Sequence, residues 1–311
     1  MFFRDKTLLS HGIFLALIAY FFFALASTFV RLFPPSFPTL QILFFQSVIA
    51  LACLLYKNYK TGKKLTFHTS LFSYHLLRGL SGVLSYLCFY LTIKYANLVD
   101  AAVLNATSPF YIPFIWYFLT KEKIEKQVFW AIILGFIGVA FILKPEGTFF
   151  HPGSLIGLLT GLLSAFAVIG ISLLNRAKEP TNNIIFYFFL ISSLALFPFL
   201  PAVWETPSLK ESFLLIAIGI STFFAQSFLA KAFQYGTAAF LSPLSYSTII
   251  YITLISYVFL DVLPSWASFV GILLVIIGGT TTFILTQKPS TFKDLFSRPQ
   301  SMYKWWHFWK K

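Results

Sequence analysis

Several polar side chains stand inside long apolar stretches of this sequence, and any chemistry has to come from them. Asn105 and Gln226 are amides set in mid-run. Each carries two donors and an acceptor and, away from water, bonds either a solute or a neighbouring helix. Tyr86, Tyr90, Tyr111, Tyr246 and Tyr251 offer aromatic faces that attract cations or stack on planar rings; otherwise they pack with the hydroxyl satisfied locally. Thr107 and Ser245, together with Ser27 and Thr28, either face a solute or bond back to their own helix backbone. Gln46 is a further amide of the same kind. Arg78 suits a carboxylate or phosphate, or else reaches along its long stem to the nearest water. This is an inventory for holding a small molecule.

The elements that position these groups are built for lipid. Of 311 residues, 58% are hydrophobic and 11% charged, against about 25% charged in soluble domains. A bilayer-spanning helix takes about 20 apolar residues, so the length accommodates about ten spans and no separate soluble domain. The 40 phenylalanines are spread through every apolar run and read as lipid-facing and packing surface. The net charge of +13 sits in loops rather than on one solvated face, which excludes a nucleic-acid partner. Cys53 and Cys88 lie in apolar runs without flanking ligands and read as packing residues. The first apolar run has full spanning length and no small-residue cleavage site, so it is expected to be retained as a helix.

Apolar windows fall at 11–32, 39–56, 71–93, 98–119 and 128–144, then, after Lys144, Pro145, Glu146 and Gly147, at 153–174, 183–203, 211–231, 237–260 and 264–286. The loops alternate in their content of positive charge. With the N-terminus inside, the cytoplasmic side collects Arg4, Lys6, Lys57, Lys60, Lys63, Lys64, Lys121, Lys123, Lys126, Arg176, Lys178 and Lys231, while the opposite side holds Arg31, Lys94, Lys144 and Lys210. The positive-inside rule then places both termini in the cytoplasm. The tail, 288–311, mixes lysines with Trp305, Trp306 and Trp309 and is expected to lie on the membrane surface.

Five spans followed by five turn the second half over relative to the first, the inverted-repeat plan of many secondary transporters. The residues repeat as well. Tyr95, Ala101, Ala102, Ser108, Pro109 and Glu122 in the first half are answered by Tyr235, Ala238, Ala239, Ser247, Thr248 and Asp261 in the second. Pro109 stands as far from Glu122 as Thr248 from Asp261. Gly135 and Gly138 close one half, Gly271, Gly278 and Gly279 the other. The expected fold is an all-α membrane protein of ten transmembrane helices in two inverted five-helix repeats, 1–145 and 146–287.

This pattern resembles the drug/metabolite transporter superfamily, in particular its ten-helix members built from two EamA-type repeats. The resemblance covers about 11–286 and is most pronounced at Arg78 to Gly82, Tyr95 through Pro109, Glu122 and Leu241 to Tyr246. Thr248 and Asp261 depart from it, where Pro and Glu are usual. It implies a central cavity lined by helices three, four, eight and nine, with one and six beside them. Carried onto this chain, that makes Tyr86, Tyr90, Asn105, Thr107, Tyr111, Gln226, Ser245, Tyr246, Tyr251 and Arg78 the candidate substrate-binding residues. It also implies transport of a small polar solute, with S-adenosylmethionine as the leading substrate and amino-acid or drug export as the main rival.

The acidic residues support no proton relay, because all ten lie in loops, tails or helix ends. Asp100 comes nearest, and its place at a helix start complements the dipole. Exchange or facilitated diffusion gains accordingly. Pro109 and Pro113 should bend or loosen the fourth span. No catalytic set, metal-ligand cluster or cofactor site is legible within the spans, so an enzyme is not expected. A channel would show a continuous polar face along several helices, which the sequence lacks. The localisation that fits is a bacterial inner membrane, with the lipid bilayer and a small-molecule substrate as the partners.

Overall fold

The computed structural model describes residues 6–62, 69–96, 98–120, 126–143, 152–236, 241–260 and 266–286, and among these every regular element is helical. The first half comprises α1 (Lys6–Arg31), α2 (Thr39–Thr61), α3 (Phe72–Tyr95), the short α4 (Leu98–Asn105), α5 (Ser108–Thr120) and α6 (Lys126–Leu143). The second comprises α7 (Pro152–Arg176), α8 (Thr181–Leu196), a 3₁₀ turn over Phe197–Phe199 leading into α9 (Leu200–Val203), and α10 (Leu209–Tyr235). A second 3₁₀ turn, Ser242–Ser245, then leads into α11 (Tyr246–Leu260), and α12 (Trp266–Thr286) follows. Taking α4 with α5, α8 with α9 and the second turn with α11, each half contributes five helical segments. Among the described residues, seven segments, including Ser10–Arg31, Phe72–Tyr95 and Leu209–Tyr235, are long and apolar enough to cross a bilayer on their own. Large apolar side chains such as Phe14, Phe118, Trp130, Phe213 and Val258 are exposed, as a surface solvated by lipid tails requires.

Local sequence explains the ends. Pro38 precedes α2, and Gly62 closes it at φ 63°, its N–H reaching the carbonyls of Asn58 and Tyr59, a conformation glycine adopts without Cβ strain. Ser208 and Glu211 form a reciprocal capping box at the start of α10, satisfying two otherwise orphaned donors.

The fourth span is broken rather than bent. Helix α4 ends at Asn105, Ala106 and Thr107 turn, and α5 restarts at Ser108. Pro109 brings no N–H, and the Thr107 hydroxyl donates to the Leu104 carbonyl at 2.7 Å, so the backbone ladder lapses where the sequence stops supplying it. In the register that matches Pro109 to Thr248, Asn105 corresponds to Leu244, inside the Ser242–Ser245 turn. Both halves therefore interrupt the same span at the same place, the second using Pro243. Glu122, Ala238, Ala239, Asp261 and the tail from Gln287 lie outside the described residues.

The closest-packed pairs join the halves: α1 lies along α10, α3 along α7 and α6 along α12. Exchanging the halves converts the α1–α10 pair into the α7–α3 pair and returns α6–α12 to itself. That is the signature of a two-fold relation between the repeats.

Candidate functional site

On α3, Arg78, Gly82, Tyr86 and Tyr90 recur every four residues and so share one face of the helix. By helical rise, Arg78 stands about 9 Å from the start of α3, and Gln226 about 13 Å from the end of α10. Their side chains meet between the repeats. Arg78 Nη2 donates to Gln226 Oε1 at 2.6 Å, and Gln226 Nε2 donates to the Tyr86 hydroxyl at 3.1 Å. One amide thus ties together two residues of the facing helix.

Arg78 does not reach to water. It is 4% exposed, with its guanidinium carbon 4.1 Å from the centre of the Phe188 ring. Two glycines make the room. A Cβ on Gly170 of α7 would stand 3.0 Å from Arg78 Cβ. One on Gly82 would strike the guanidinium and sit 2.7 Å from Phe188 Cε2. The cation–π contact and the bond to Gln226 stabilise the charge in part, but Nε has no hydrogen-bond partner. His75 pairs with Glu179, and among the described residues no carboxylate pairs with Arg78.

Aromatic rings surround this unit. Tyr86 lies 5.8 Å from Tyr90, 6.2 Å from Phe23 and 6.3 Å from Phe188, centre to centre. The Tyr90 hydroxyl donates to Gln46 Oε1 on α2, which carries the polar column from α3 to a third helix.

Asn105 belongs to a second cluster. Its Oδ1 accepts from Ser164 Oγ of α7 at 2.7 Å. Ser164 Oγ in turn lies 2.7 Å from Ser85 Oγ of α3, and Ser85 also reaches the Thr160 carbonyl at 3.2 Å. Because Ser85 and Tyr86 are consecutive on α3, the two clusters adjoin along that helix, but Asn105 and Gln226 do not bond each other directly.

The remaining candidates divide. Thr107 and Tyr111 both face Gly161 of α7. Ser245 and Tyr246 are buried at the start of α11 with hydroxyls lacking a partner, and the Tyr246 ring lies 6.4 Å from Phe110. Tyr251 is half-buried, edge-on to Phe21 of α1 at 5.6 Å. Ser27 and Thr28 donate to the Phe23 and Ala24 carbonyls of their own helix.

Three contributors escaped the sequence reading. The sequence does not single out Phe188 among its many aromatics, nor Ser85 and Ser164 among its serines. Gln41 is the other omission: fully buried, it donates from Nε2 to the Glu205 carbonyl at 2.6 Å and accepts at Oε1 from the Glu205 N–H at 2.9 Å. A polar residue two positions into an apolar run is the available signal.

Comparison with known proteins agrees with this architecture. The sequence matches the EamA-like transporter family twice, over residues 10–144 and 151–284. It is 27% identical over 272 residues to the pseudopaline exporter CntI of Pseudomonas aeruginosa, covering 87% of this chain and 95% of that protein. It is 27% identical over 250 residues to the S-adenosylmethionine uptake transporter of Rickettsia prowazekii, covering 79% and 82%. A crystal structure with 21% identity superposes with a TM-score of 0.62 over 91% of this chain and 98% of its own, a likeness of fold. Two family matches that divide the chain where its two five-segment halves meet settle the matter: this integral membrane protein belongs to the EamA-like transporter family.

Proposed function

We propose that this protein is a secondary transporter that carries a small polar metabolite by alternating access around a central cavity, with S-adenosylmethionine as the leading substrate. The observation that carries this reading is the Arg78–Gln226–Tyr86 unit. One repeat supplies the cation and the ring, the other the amide, so a solute bound there touches helices of both repeats. The tyrosine and phenylalanine faces around it suit an adenine ring or a sulfonium cation. Similarity to S-adenosylmethionine uptake transporters supports the same substrate. The positive-inside distribution places the termini in the cytoplasm, and relatives from bacteria favour the inner membrane.

The test is uptake of labelled S-adenosylmethionine into cells making the protein, set against an Asn105→Ala, Gln226→Ala double variant. Saturable uptake that unlabelled solute competes away and the double variant loses is the expected result. Absence of uptake above control, with the protein present in the membrane, removes this substrate. A second reading, export of a small metabolite, draws on the similarity to the pseudopaline exporter over 95% of its length, and efflux from preloaded vesicles tests it. Flux that rises linearly without saturating would point to a channel instead.

A further inference from the structure

We infer that Arg78 is an anion anchor: the transported solute carries a carboxylate or phosphate, and that group supplies the counter-charge that no described residue provides. This rests on the transporter reading of the Arg78–Gln226–Tyr86 unit and narrows the class of its cargo.

Isolated buried charges are strongly disfavoured, and proteins that keep a guanidinium away from water normally pair it with a carboxylate. Arg78 is 4% exposed, yet no acidic side chain pairs with it among the described residues. In the sequence every Asp and Glu lies in a loop, a tail or a helix end. The guanidinium faces a neutral amide at 2.6 Å and the Phe188 ring at 4.1 Å, with Gly82 leaving room beside it. Gln226 accepts from one terminal nitrogen only, and Nε is unbonded.

A guanidinium with part of its donor fork in use and part idle is matched by a planar oxyanion, which takes two parallel N–H bonds. Gln226 then acts as a stand-in acceptor that holds the side chain in place between transport events. Solute binding is expected to neutralise the charge and leave Gln226 free to keep its bond to Tyr86. Purely cationic solutes are disfavoured by the same charge.

The experiment has two arms, and the first needs no cargo. Purified Arg78→Met protein is melted beside the parent. Removing an uncompensated buried charge is expected to leave the midpoint unchanged or raise it. A midpoint several degrees lower would mean that the guanidinium is a structural member and would overturn the inference. The second arm measures competition against labelled S-adenosylmethionine in proteoliposomes, using S-adenosylmethionine and its decarboxylated form, which keeps the adenine, sulfonium and amine but lacks the carboxylate. The decarboxylated form is expected to compete at least tenfold more weakly, and Arg78→Met to lose at least nine-tenths of the uptake. Equal competition, or undiminished uptake by Arg78→Met, overturns the anchor while leaving the transporter reading intact. If the parent takes up no S-adenosylmethionine, that substrate falls, and the melting comparison decides the anchor by itself.

Discussion

Arg78 and Gln226 belong to opposite repeats, and the guanidinium of the first donates to the amide oxygen of the second across 2.6 Å. Replacing Gln226 by Glu puts a carboxylate where the neutral acceptor stands. The internal ion pair is expected to satisfy Arg78 permanently, so Gln226→Glu should melt at or above the parent while its uptake falls at least tenfold. Gln226→Ala should lose uptake to a similar extent but melt lower. It strands donors on Arg78 and removes the partner of Tyr86, a loss of about 1–3 kcal/mol. Melting curves paired with proteoliposome uptake separate the two variants.

Asn105 and Ser164 should behave as one unit. The bond between them joins α4 to α7, and Ser85 extends it to α3. A double-mutant cycle on Asn105→Ala and Ser164→Ala is expected to give a coupling energy of about 0.5–2 kcal/mol in stability. Additive single effects would mean that the two side chains act separately.

Gly161 sets how closely α7 approaches the break in the fourth span. A Cβ there would stand 2.8 Å from the Leu104 carbonyl oxygen, and backbone cannot rotate out of the way as a side chain can. Gly161→Ala is expected to destabilise the protein by about 1–3 kcal/mol. The check is its melting midpoint beside that of Leu155→Ala, a neutral control at an exposed position on the same helix.

Gln41 clamps both backbone groups of Glu205, the residue 164 positions away that follows Trp204 in the link between α9 and α10. Gln41→Ala leaves both groups without that partner, and a loss of about 1–3 kcal/mol is expected. Gln41→Glu keeps an acceptor for the N–H but cannot donate to the carbonyl, so it should fall between the two in thermal stability.

The sequence made the outline of the fold and half of the site legible for a physical reason. Lipid forces each span to be apolar, so polar exceptions such as Asn105, Gln226, Tyr86 and Tyr90 stand out against a uniform background. The arrangement of those exceptions was not legible. Arg78 lies two turns inside α3, a depth from which an arginine can reach water. What encloses it is Phe188 and Gly170, both contributed by the other repeat more than 90 positions away. Ser85 and Ser164 acquire meaning only when α3 and α7 are brought together. The weakness of the fourth span was visible in Pro109, but its position depends on Thr107 turning back to Leu104. The matching break in the ninth span relies on Pro243, which the pairing of Pro109 with Thr248 passes over.

The packing of α1 on α10 and of α3 on α7 means that the two halves are interlaced, each lending its first and third helices to the other. A half of the polypeptide is therefore not a mechanical body. On the proposed alternating-access reading, the units that rock would each combine helices from both repeats. The same interlacing makes the covalent link between the halves dispensable in principle. An ancestral single-repeat chain would have found its missing neighbours in a second copy inserted upside down, and the modern chain, cut between its halves and made as two pieces, should reassemble from them in one membrane.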